Sequence, residues 1–102
     1  MKNYVLIYYN QGTQDAPSED VAAAWGAWFG KLGDKLVDAG NPFGGGAQAV
    51  TKDGVMGVKD MPATGYSIVK AGSMDDAVAI TKDCPLLDEP QGAVCVYETM
   101  PM

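Results

Sequence analysis

Residues 66–85 read YSIVKAGSMDDAVAITKDCP. The first six residues are rich in β-branched and aromatic side chains, which predicts a strand over 66–71. Gly72 then breaks the pattern. Ser73 is a good helix N-cap, and Asp76 three residues later resembles a capping box. Ala77, Val78, Ile80 and Thr81 supply a buried side for the helix that follows. That helix must stop near Asp83, because Pro85 disfavours a helical residue before it. The stretch is therefore a strand followed by a capped helix.

Another strand followed by a helix is predicted at the N-terminus. NYVLIYY at 3–9 reads as a strand bounded by Asn10, Gly12 and Pro17. Ser18 is a candidate cap, with Glu19 and Asp20 in the first turn, where negative charge suits the helix dipole. Val21, Trp25, Trp28, Leu32, Leu36 and Ala39 recur every three or four residues, which predicts one helix of about 20 residues. Gly40 stands where such a helix would end, and Pro42 prevents its continuation. Between the two units, NPFGGG is a turn region, AQAVT and VMGV flank an Asp53-Gly54 turn signal as a short hairpin, and KDMPATG is a loop. AVCVYE at 93–98 is the last strand.

The order is strand, helix, hairpin and strand, helix, strand. It predicts an α+β chain with a ferredoxin-like βαββαβ plan and an extra short hairpin, with both helices on one face of an antiparallel sheet. No repeat or linker divides residues 1–102, so a single domain is expected.

The first helix holds an oddity. WGAWFGKLG at 25–33 sets three glycines beside the largest side chains in the chain. Each helical glycine costs about 1 kcal/mol relative to alanine. Gly26, Gly30 and Gly33 are spaced four and three apart and so lie along one side. The expectation is a bare strip against which another backbone packs, such as the second helix, Pro62 or the GGG turn. The aromatic residues would occupy a different side, against the sheet.

Composition narrows the function classes. The net charge is −6, from 13 acidic and 7 basic residues, with no basic cluster. Nucleic-acid and anionic-membrane binding are disfavoured, because both need Lys and Arg. No apolar run spans a bilayer or resembles a signal peptide, so the expected compartment is the cytoplasm. Cys84 and Cys95 fit no zinc spacing, and a cytosolic disulfide is not expected. No metal or cofactor is called for. The chain has no histidine. That excludes Ser-His and Cys-His nucleophile pairs and leaves acid–base work to Asp, Glu, Lys, Tyr or Cys.

Neither face of the predicted strands is plainly polar, whereas a sheet with one wet face alternates apolar with polar. Helices cover one face, so a second copy of the chain is the expected cover for the other. Tyrosine is common in interface cores, which favours Tyr4, Leu6, Tyr8, Tyr66, Ile68 and Tyr97 as the dimer face.

Taken together, YVLIYY, WGAWFGKLGDKLVDAGNPFG, GYSIVKAGSMDDAVAITKDCPLL and the ending VCVYETMPM, in that order over nearly the whole chain, resemble the YCII-related proteins of the dimeric α+β barrel superfamily. The resemblance implies a homodimer with sheets packed face to face and a cleft in each protomer between helices and sheet. It also implies a His-Asp pair in the cleft of some members, and at least one relative is similar to a dehydrochlorinating enzyme. Here Trp28 or Phe29 stands near where the first helix would carry the histidine. Cys84, before Pro85, stands near the position of the acid. An Asp-Gly-Pro-Phe loop common among relatives corresponds to the shorter KDMPATG, which keeps only Asp60 and Pro62.

Three roles follow. The first is a small-molecule binder whose ligand, apolar or aromatic, meets Trp25, Trp28 and Phe29, although the same residues at helical spacing are also expected as core. The second is a lyase-like or dehydrochlorinase-like enzyme using Asp60, a tyrosine or Cys84 in place of histidine. The bland alternatives are an exposed loop carboxylate for Asp60 and an inert buried thiol for Cys84. The third is a structural or interaction module whose cleft has filled with side chains.

Overall fold

The computed structural model describes residues 1–10, 19–44, 46–58, 63–88 and 92–100. In chain order the elements are β1 (Lys2–Asn10), α1 (Glu19–Leu32), a 3-10 turn (Gly33–Lys35), β2 (Leu36–Asp38), β3 (Gln48–Thr51), β4 (Gly54–Gly57), β5 (Ala63–Ala71), α2 (Met74–Thr81), a second 3-10 turn (Pro85–Asp88) and β6 (Gly92–Glu98). The main sheet has the order β2-β5-β1-β6 and is antiparallel throughout. β3 and β4 form a separate two-stranded hairpin inserted between β2 and β5. Without that insert, the chain is βαββαβ with its first and third sheet strands side by side at the centre, a ferredoxin-like α+β fold.

The long central strands form where β-branched and aromatic residues are densest. Tyr4, Leu6 and Tyr8 of β1 and Ser67, Val69 and Ala71 of β5 are buried against the helices. Trp28 and Leu32 of α1, Ala77 of α2, Cys84 and Leu86 complete the core, with Val94 and Val96 packed against it. Ser73 caps α2 as its sequence suggests, its Oγ accepting from the Asp76 N–H at 3.2 Å. Val78 of α2 is exposed, while Ala77 and Thr81 are buried and Ile80 partly so. The buried side of this helix is therefore narrower than the apolar count implies. The Thr81 hydroxyl is satisfied by donating to the Ala77 carbonyl at 2.8 Å. The Ser18 cap lies outside the described residues.

The first helix is shorter than the periodicity predicts. It ends at Leu32, because Gly33 takes a φ of 53° and turns the backbone into the left-handed region. Leu36, which continues the helical apolar period, sits instead in the edge strand β2, paired with Val69. The edge strand of the main sheet thus comes from the residues expected to end the helix, and the hairpin stands apart from that sheet. The hairpin is built as its turn chemistry predicts. Thr51 Oγ1 accepts from the Asp53 N–H at 3.2 Å, and Gly54 has a φ of 138°. Its Val50, Val55 and Met56 are exposed.

Strand register corrects the expected interface. Tyr4 lies opposite Val69, Leu6 opposite Ser67 and Tyr8 opposite Gly65 in β5, and the partners in β6 are Glu98, Val96 and Val94. Residues directly opposite share a face. Tyr4, Leu6 and Tyr8 therefore face the helices and are buried. Tyr66, Ile68 and Tyr97 lie on the opposite face with Val5, Ile7 and Cys95. The six residues expected to form one dimer face are divided between the two sides of the sheet and cannot form a single surface.

Candidate functional site

On α1, the positions Ala22, Trp25, Gly26 and Phe29 follow an i, i+3, i+4, i+7 pattern and share one helical face. That face walls a cavity of about 530 Å³. Opposite it runs the irregular segment after β2, from Ala39 to Pro42, together with the start of β5 from Thr64 to Tyr66. Tyr8 of β1 and Leu86 of the second 3-10 turn complete the lining. The volume falls in the range usual for small-molecule pockets.

The wall is largely aromatic, and its rings support one another. Trp25 meets Tyr8 edge to face, with centroids 5.0 Å apart. It also contacts Phe29 and Trp28, each at 5.8 Å. Such ring pairs contribute roughly 0.5–1.5 kcal/mol each beyond simple burial. Trp25 and Phe29 are half-buried. Trp28 is not part of the lining. It is only 4% exposed and sits behind Trp25 and Phe29, with its indole N–H donating to the Ile80 carbonyl at 3.4 Å. The three aromatic candidates thus divide into two cavity residues and one core residue.

Gly26 belongs to the same wall. A β-carbon added at Gly26, Gly30 or Gly33 would meet nothing within 4 Å among the described residues. The expected packing strip against another backbone is therefore absent from this part of the structure, and Gly26 borders open cavity beside the aromatic rings. Pro62, one of the neighbours considered for that strip, lies outside the described residues.

Close backbone packing occurs at Gly40 instead. Its φ of 74° is left-handed, and a β-carbon there would collide with the Tyr66 carbonyl oxygen. The Gly40 N–H donates to Asp38 Oδ1 at 2.8 Å, which fixes the turn. The strand bridge between Pro42 and Gly65 and the Phe43 N–H bond to the Thr64 carbonyl at 2.8 Å then pin the segment against β5. Phe43 stacks on Tyr66, with ring centroids 5.9 Å apart. Glycine-proline punctuation in the sequence marks this turn, but nothing local shows that it forms one side of a cavity.

At the base of the site three groups are linked in series. The Tyr8 hydroxyl donates to Ser67 Oγ at 2.7 Å, and the Ser67 hydroxyl donates to the Ala39 carbonyl at 2.7 Å. Thr64 Oγ1 donates to the Tyr8 carbonyl at 3.2 Å. Burial, only partly offset by the Ser67 hydrogen bond, raises the Tyr8 pKa well above that of an ordinary phenol, so Tyr8 stays protonated and neutral at physiological pH.

Of the described catalytic candidates, Tyr8 lines the cavity and Cys84 does not. Cys84 is only 2% exposed. Burial pushes its thiol up to about 11, against a weaker lowering by a backbone hydrogen bond at Leu86. The reactive species is the thiolate, so this cysteine is poorly suited to be a nucleophile. Cys95 is exposed, and neither cysteine forms a disulfide. Asp60 lies outside the described residues. The described lining contains no carboxylate, amine or thiol. Among the described residues no cluster of His, Cys, Asp or Glu is placed to hold a metal ion, and no helix is long and apolar enough to cross a membrane.

The family model for the YCII-related domain matches residues 1–102. Among solved structures, the chain is similar to 5-chloro-2-hydroxyhydroquinone dehydrochlorinase from Burkholderia phenoliruptrix in complex with 2,5-dihydroxybenzoquinone. The sequence identity is 18% and the TM-score 0.60, and the match covers 98% of this chain and 95% of that one. No curated protein matches the chain.

Proposed function

The chain belongs to the YCII-related family, and from that premise we propose that it binds a small apolar or aromatic molecule in the cavity between α1 and the sheet. The observation that carries this reading is the 530 Å³ cavity walled by Trp25 and Phe29. A structural module with a filled cleft would have closed this space with side chains; here alanine and glycine stand at Ala22 and Gly26 on the helix and Ala39 and Gly40 opposite. The similar dehydrochlorinase was solved with a single-ring compound, a guest of suitable size for such a space. A one-ring ligand making mainly apolar contacts is expected to bind with a Kd near 1 mM, about −4 kcal/mol, or a few tenfold tighter.

Binding is favoured over lyase chemistry because the described lining holds no carboxylate, amine or thiol to serve as a base. An elimination needs a group to take a proton and a means of stabilising the charge that develops. Tyr8, held protonated by its burial, does not fill the first role.

The active form on this reading is a homodimer. Both helices pack on one side of the sheet. On the other side Val5, Ile7, Tyr66, Ile68, Cys95 and Tyr97 are half-buried or exposed, with Tyr97 56% exposed. An apolar sheet face of this kind is suited to a second copy of itself. Its residues replace the mixed set expected from the sequence.

Intrinsic fluorescence tests the binding reading. Trp25 lies on the wall and Trp28 behind it, so titration with one-ring compounds should change the emission in a saturable way, and Trp25→Phe should remove most of the response. No saturable change with any of a panel of benzene derivatives up to millimolar concentration would count decisively against it.

A further inference from the structure

The direction of the hydrogen bonds at the cavity base has a consequence for selectivity. A carbonyl oxygen only accepts. The Ala39 carbonyl therefore takes the Ser67 hydrogen, and Ser67 Oγ in turn must accept from Tyr8. Ser67 is fully buried, so water does not compete for this arrangement. The Tyr8 hydrogen is committed to Ser67, and what its phenol oxygen retains is lone-pair capacity. The Ala39 oxygen at the other end of the series is likewise an acceptor, and both Tyr8 and Ala39 line the cavity. Neighbouring hydrogens are committed too. Thr64 gives its hydroxyl hydrogen to the Tyr8 carbonyl, and the Gly40 N–H goes to Asp38. The remaining side-chain donors among the lining residues belong to Trp25 on the helical wall, Asn41, which is exposed, and Tyr66, whose side chain belongs to the opposite face of the sheet.

From this polarity we infer that Ser67 makes the Tyr8 end of the cavity an acceptor, so that the site selects neutral one-ring ligands carrying a hydrogen-bond donor, such as a hydroxyl, over ligands that offer only an acceptor. Ser67 is a positioning residue. It touches no ligand and acts by fixing where the Tyr8 hydrogen points. A carbonyl or nitrile ligand brought to this end would set its lone pair against the lone pairs of Tyr8. Accepting such a ligand would require Tyr8 to give up its bond to Ser67. The inference rests on the binding reading above and adds a chemical class to it.

Three probes of similar size separate the possibilities: phenol (donor), benzonitrile (acceptor only) and toluene (neither). Their affinities are read from tryptophan fluorescence in the wild type, Tyr8→Phe and Ser67→Ala. In Tyr8→Phe the preference for phenol over toluene should fall about fivefold, the ratio that one neutral hydrogen bond supports. In Ser67→Ala the Tyr8 hydrogen is released, and benzonitrile should gain on phenol by a similar factor. If all three probes bind but neither ratio moves, the selectivity inference is overturned and the binding reading survives. If none binds the wild type, the binding reading itself fails. If Ser67→Ala does not fold, Tyr8→Phe still decides, since an unchanged phenol-to-toluene ratio there excludes a hydrogen bond to Tyr8.

Discussion

Replacing Gly26 by alanine should make the protein more stable. The position lies inside α1, where glycine costs about 0.8–1 kcal/mol relative to alanine through lost backbone entropy. A steric clash would offset that gain, but an added β-carbon meets nothing within 4 Å among the described residues. The full propensity gain is therefore expected. For a domain of this size, 1 kcal/mol raises the melting temperature by about 4 °C or somewhat more. Thermal and urea denaturation should both record it, with the urea m-value unchanged, because the area exposed on unfolding hardly differs. A loss of 1 kcal/mol or more would refute the reasoning, since it would require a neighbour packed tightly against Gly26, as the sequence alone suggests. A larger probe extends the test. Gly26→Leu should fold and partly fill the cavity, and it should weaken the fluorescence response to one-ring ligands.

Other positions respond differently. Gly40→Ala should destabilise by about 3 kcal/mol or more, because the left-handed φ alone costs about 1–2 kcal/mol and the collision with the Tyr66 carbonyl adds to it; urea unfolding within 0.5 kcal/mol of the wild type would contradict this. Cys84 should resist a thiol reagent at pH 8 until the chain unfolds, while Cys95 reacts in the native protein whenever the sheet face is free. Burial also raises the Cys84 pKa from 9 to about 11, so its contribution to stability is complete below pH 9. Between pH 9 and 11 the unfolded chain releases this proton more readily than the folded one, and stability falls as pH rises. Cys84→Ala should remove that part of the alkaline slope, and a slope identical to the wild type would speak against a buried neutral thiol. On the sheet face, Ile68→Asp should turn a dimer of twice 10.7 kDa into a 10.7 kDa monomer in light scattering; a wild type that is already monomeric at micromolar concentration would exclude the proposed interface.

The central fold is legible wherever local chemistry and tertiary packing agree. β1, β5 and β6 carry strong β-forming runs, and α2 carries its own cap at Ser73 and its own stop before Pro85. α1 misleads because Leu36 and Ala39 fall on the helical period by coincidence. Leu36 is needed by the sheet, and the left-handed turn at Gly33 that takes it there leaves no signature in the apolar pattern. β2, at three residues, is too short to announce itself against that background. The hairpin at 48–57 has clear turn chemistry and so competes, on sequence, for a place in the sheet that belongs to β2.

The cavity is half legible. Trp25 and Phe29 stand out as large apolar residues at helical spacing, but their spacing cannot separate them from Trp28, which packs behind them. Tyr8 is assigned to the wrong face because alternation fixes which residues of one strand go together and not how two strands are phased. Only the register, with Tyr8 opposite Gly65, places it among the helices. Ser67 and Ala39 are 28 residues apart and meet through a hydrogen bond that no local pattern encodes.

The most direct test of cavity binding is a crystal structure of the protein soaked with phenol. Ring density between Trp25, Phe29 and Tyr8, with the phenol oxygen within hydrogen-bonding distance of Tyr8 Oη, is the predicted result. An empty cavity at saturating phenol, or density confined to the outer face of the sheet, would contradict it.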